Sequence, residues 1–123
     1  MKGKSKNFII PLVVYPFYLM VSVAESDAKL KKTLSDNGIN DEDEMWTFGE
    51  TTTGRFCLFP SNQGLIRIRE MPKTNVDYAN LQHEIFHYVM HIFDRIGMKW
   101  TQESDEAYSY LIGYLTSEIY KRI

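Results

Sequence analysis

From Phe8 to Ala24 the chain carries no charge, yet Pro11 and Pro16 interrupt the run. A stretch this apolar must be buried or removed. The prolines break a helical reading, and Tyr15, Phe17 and Tyr18 suit extended backbone, where rings pack on a pleated surface. The run therefore predicts two extended pieces, Phe8 to Val14 and Phe17 to Val23, the second apolar on both faces and covered on both. The competing reading is a targeting segment, with Lys2, Lys4 and Lys6 ahead of the apolar run and Ser22-Val23-Ala24 as its cleavage site. A secreted or membrane-anchored protein would follow from it.

The 123 residues fit one domain with a single core, expected to span residues 1–123. Apolar residues make up 44% and charged residues 24%, the balance of an ordinary soluble domain. The formal net charge of −2, with no band of basic residues, gives no reason to expect nucleic acid or a membrane surface as partner. A single cysteine, Cys57, excludes an internal disulfide and suits a reducing, cytoplasmic compartment. It lies in the apolar run Phe56 to Phe59 and reads as inert packing.

Ser26 offers a helix cap, with Asp27 in the first turn and a stop at Asn37-Gly38. Asp41 to Glu44 reads as a solvated acidic loop without calcium-loop spacing. Three short strands are expected next, about Met45 to Phe48, Arg55 to Phe59 and Leu65 to Glu70, forming an antiparallel meander across turn-rich segments. Leu65 to Glu70 alternates, with Ile66 and Ile68 on one face and Arg67 and Arg69 facing outward. It is either a sheet edge that pairs with an extended peptide or one whose arginines guard against edge-to-edge aggregation. Pro72 ends it, and Thr74 with Asp77 forms a capping box for a helix that should reach Ile96 and stop at Gly97. Ser104 caps a final helix. The expected class is α+β: a small mixed sheet packed against the long helix and the C-terminal helix, in the order β-α-β-β-β-α-α.

The long helix carries His83-Glu84-Ile85-Phe86-His87, an H-E-x-x-H motif. At about 100° per residue its histidines lie about 40° apart and about 6 Å along the axis, so both imidazoles can converge on one ion off that face. Neutral imidazole suits Zn2+. Glu84, on the adjoining flank, can act as general base toward a water at the open coordination position. Leu81, Ile85, Tyr88, Val89, Ile92, Phe93 and Ile96 form the opposite, core-facing arc. Catalytic zinc usually takes three protein ligands, and Glu106, 19 residues after His87 in the first turn of the next helix, is the candidate third. Gly113, along nearly the same face, would let that helix approach closely. Tyr110, ahead of Tyr114, is the candidate donor toward a developing oxyanion. His91 continues the series but sits about 12 Å from His83 along the axis, too far to share the ion.

The motif helix, followed by Glu106-Ala107-Tyr108-Ser109-Tyr110 and Gly113-Tyr114-Leu115, resembles gluzincin-type zinc metallopeptidases. Of the two, it more closely resembles the very small zincin-like proteins of bacteriophages and prophages. The resemblance covers about Leu81 to Tyr120, about a third of the chain. It implies a minimal zincin fold, a bound zinc on His83, His87 and Glu106, and hydrolysis of a peptide or protein substrate. The alternative expectation is a non-catalytic domain that uses the same fold to bind a phage or host protein.

Overall fold

The computed structural model describes residues 4–123. It is an α+β domain in three layers, with one four-stranded mixed sheet between helices on both faces. In chain order the elements are β1 (Lys6–Pro11), β2 (Tyr18–Val23), α1 (Asp27–Asp36), β3 (Gly54–Leu58), β4 (Gln63–Ile68), α2 (Asn75–Arg95) and α3 (Asp105–Tyr120).

The uncharged N-terminal run forms the β1–β2 hairpin, with Phe8 opposite Val21 and Ile10 opposite Leu19. β1 stops at Pro11, and Tyr15 in the connecting turn sets its ring against Phe93, 5.4 Å away. The two extended pieces expected of this run are thus two paired strands, and the order is β-β-α-β-β-α-α where the expected order counted them as one element and placed a further strand after the first helix. β2 pairs in parallel with β4, placing Val21 beside Ile66, and β3 pairs antiparallel with β4, so the sheet order is β1-β2-β4-β3.

Alternation along the strands feeds two cores. Leu19, Val21 and Val23 of β2 and Ile66 and Ile68 of β4 face α2 and α3, where they meet Leu81, Ile85, Tyr88, Val89, Ile92 and Phe93. Met20, Cys57 and Leu65 point the other way, onto Leu30 and Leu34 of α1 and onto Trp46. Burial on both faces explains why β2 has no polar side apart from Ser22.

Two expectations change here. Met45 to Phe48 forms no strand: it belongs to the irregular connection between α1 and β3, with Trp46 buried and Met45 61% exposed. Leu65 to Glu70 is no edge, because β4 lies between β2 and β3, and the free edge beside the helix layer belongs to β3. Arg67 is accordingly not outward but 2% exposed. Its guanidinium donates to the carbonyls of Trp46 and Glu25 at 3.0 Å and to the Asp27 carboxylate at 2.7 Å. It also lies over the Phe48 ring at 4.2 Å. Burying a guanidinium demands such partners, and the connection from Trp46 to Phe48 supplies them in place of strand pairing. Arg69 is exposed as expected and holds the same connection through the carbonyls of Thr52 and Gly49.

The local signals of the first two helices hold. Ser26 accepts from the Lys29 amide, and Gly38 turns the chain at φ +78 after α1. Thr74 and Asp77 form the reciprocal capping box of α2, and Gly97 follows it at φ +83. Ser104 sits at the start of α3 but does not cap it: its hydroxyl donates to the Lys99 carbonyl at 2.7 Å and closes the preceding turn. No helix among the described residues is long and apolar enough to cross a membrane.

Candidate metal centre

The long helix α2 rests its apolar arc on the sheet and turns a stripe of three histidines toward solvent and the β3 edge. Close seating depends on Gly64 of β4, which lies directly under the Tyr88 ring with no room for a side chain. Ile96, expected in the core arc, is the cap residue after α2 and is 42% exposed.

His83 is exposed and His87 half-buried, and their Nε2 atoms stand 2.9 Å apart, within hydrogen-bond distance. Two nitrogens bound at about 2.0–2.1 Å around a tetrahedral zinc stand roughly 3.4 Å apart. The pair therefore needs only a small side-chain rotation to accept an ion, and its donor chemistry fits zinc. Phe56 of β3 stacks alongside His87 at 6.5 Å with an interplanar angle of 16°. It also touches His91, 5.0 Å away, so the β3 edge borders the histidine stripe. His91 does not join the pair. Its Nδ1–H donates to the His87 carbonyl at 2.7 Å, since a carbonyl can only accept.

Glu84 is 8% exposed, on the flank next to His83. Its side chain lies against Gly54, where a Cβ would come 3.2 Å from Glu84 Cγ. Together they line a cleft of about 310 Å³ with Asn80, His83 and the turn Thr51 to Thr53. Glu84 and His83 thus share one cleft, and His87 stands next to it through its contact with His83.

Glu106 is elsewhere. α3 runs antiparallel to α2: Gln82 donates to Thr116 Oγ1 at 2.9 Å, and Phe93 packs edge-on to Tyr108 at 4.5 Å. This register sets the start of α3 beside the last turn of α2. At about 1.5 Å per residue, Phe93 lies about 15 Å along the axis from His83 and about 9 Å from His87, and Glu106 precedes Phe93's partner Tyr108. Glu106 is exposed on the side of α3 away from its buried face of Tyr108, Leu111, Leu115 and Ile119. Among the described residues no three of His, Cys, Asp and Glu gather around one point. Tyr110 shares the outer side and is 75% exposed, while Tyr114 directs its hydroxyl to the Pro11 carbonyl at 3.3 Å. Gly113 does not serve close packing, for a Cβ there would meet nothing within 4 Å.

The cleft residues Thr51 to Thr53, Gly54 and Asn80, and the neighbouring Phe56, were not singled out from sequence. Asn80 could have been, since it precedes His83 by one helical turn on the same face. The others reach the site through strand pairing, which leaves no local mark.

Comparisons of the chain with protein-family models, with curated proteins and with solved structures found no match.

Proposed function

We propose that this chain is a zinc-dependent hydrolase of peptide bonds that binds its metal through His83 and His87 and uses Glu84 as general base. The observation that carries the reading is the approach of the two Nε2 atoms to 2.9 Å beside the cleft that holds Glu84. Bound zinc would supply Lewis-acid polarisation of the scissile carbonyl and a more acidic water. Glu84 takes a proton from the attacking water and returns it to the departing amine. Its burial between Gly54 and α2 holds the carboxyl group in place for both transfers. An extended peptide can add to the free edge of β3, whose backbone groups have no partner strand on that side. The single, buried cysteine fits a cytoplasmic setting. The resemblance to phage zincin-like proteins makes that the cytoplasm of a bacterial host.

A second reading is a non-catalytic domain that binds a peptide or protein partner. One observation favours it: Glu106 stands apart from the histidine pair, so the three-ligand set of a gluzincin is not assembled. Metal analysis combined with digestion of a broad peptide library separates the two. The hydrolase reading expects zinc and cleavage in the native chain, zinc without cleavage in Glu84→Gln, and neither in His83→Ala. Zinc without cleavage in the native chain selects the binding domain, and cleavage retained by Glu84→Gln refutes the assigned base.

A further inference from the structure

The histidine pair supplies two donors, whereas tetrahedral zinc takes four, and no third His, Cys, Asp or Glu stands with them among the described residues. The face around the pair is equally incomplete. Val76 and Phe86 are 68% and 51% exposed and Ala79 is exposed, all on the outward stripe that carries His83 and His87. Between Asp77 and Asp94 the one carboxylate on α2 is Glu84, which is buried in the cleft, and there is no lysine or arginine. A solvated helix face ordinarily carries charge. Here an apolar, uncharged stripe is centred on the pair: Ile85 is the midpoint both of His83 and His87 and of Asn75–Arg95.

We propose that a second copy of this chain covers the stripe about a two-fold axis, with one zinc shared between the two His83–His87 pairs. A metal on the axis receives the same two nitrogens from each copy and reaches four imidazole ligands, the isologous arrangement that two-fold symmetry requires. Zinc is essential to the pairing, as the area shows. A helix of 21 residues offers a stripe roughly 30 Å long and about 10 Å wide. Two copies would then bury roughly 600 Å², well below the ~1,200 Å² of stable interfaces. Apolar contact alone does not hold such a dimer. The proposal rests on the metal-binding half of the function proposed above and adds a regulation to it. A bridged zinc has no position left for a substrate carbonyl, so hydrolysis belongs to the single copy.

Sedimentation equilibrium of the full chain during a zinc titration tests this. The expected result is a single copy without metal, a dimer at half a zinc per chain, and a return to single copies in excess zinc, when each pair holds its own ion. His83→Ala stays single throughout; its side chain is exposed, so the fold is not at stake. Phe86→Glu binds zinc but dimerises at least tenfold more weakly. A chain that remains single while binding one zinc overturns the bridge and leaves the hydrolase proposal standing. A chain that binds no zinc overturns both. A dimer that forms without zinc, or that survives His83→Ala, overturns the bridge.

Discussion

Replacing Gly64 with alanine tests the seating of α2 on the sheet, on which the geometry of the histidine face depends. An added Cβ would lie 2.9 Å from Tyr88 Cδ1 and 3.5 Å from Cζ, and closer still to Cε1. Tyr88 is fully buried, with Phe56 edge-on at 6.0 Å, so its ring has no free direction of escape. Either the ring leaves its rotamer or α2 lifts from β4, and overpacking of this kind costs about 1–3 kcal/mol. Alanine also reduces the freedom of the unfolded chain, which returns about 0.4–1 kcal/mol. The net expectation is a loss of about 1–2 kcal/mol. For 123 residues the unfolding entropy is about 0.26 kcal/mol/K, so Tm should fall by about 4–8 °C. Urea unfolding followed by circular dichroism measures it. The mechanism makes a second demand: in a Tyr88→Leu background, where the ring is gone, the same substitution should be close to neutral, giving a coupling of about 1 kcal/mol or more. Native stability in Gly64→Ala, or an equal loss in both backgrounds, would refute the contact as the cause.

Other substitutions probe separate elements. Arg67→Met should destabilise by about 2–4 kcal/mol, because the carbonyls of Trp46 and Glu25 lose their donor inside the fold. Lysine, which lacks the planar fork, should not restore the loss in denaturant unfolding. Burial, reinforced by Asp41, pushes the Cys57 thiol up to about 11, so a thiol reagent at neutral pH should label it only as fast as the chain opens. The amides of Lys73 and Thr74 hold the Asp77 carboxyl below its ordinary value. Its capping contribution is therefore complete above about pH 4 and lost as pH falls through the lowered folded value. Asp77→Asn should flatten acid unfolding in that window. Gly54→Ala should displace Glu84 Cγ, 3.2 Å from the new carbon, while sparing the histidines. Zinc content should remain native as peptide cleavage falls at least tenfold, and unchanged cleavage would show that Glu84 does not act from this position.

The helices of this protein were legible from sequence because their signals are local. Caps at Ser26 and Thr74, stops at Gly38 and Gly97, and the apolar arc from Leu81 to Phe93 all arise within a turn or two of chain. The approach of His83 to His87 belongs to the same class, since an i, i+4 spacing sets it before any tertiary contact forms. Strand partners are chosen differently, by the total packing of segments far apart in sequence. Alternation correctly divided Ile66 and Ile68 from Arg67, yet it could not tell a solvated face from one roofed by α1 and Trp46, nor an edge strand from an interior one. Arg67 was misplaced for that reason. Glu106 shows the same limit at the candidate site. Its sequence distance from His87 allows many helix registers, and the contacts of Phe93 with Tyr108 and Gln82 with Thr116 select one that carries it away from the pair. Periodicity alone fixed which side chains share a helix face; the register of one element against another was decided by packing, because only packing compares segments that are distant along the chain.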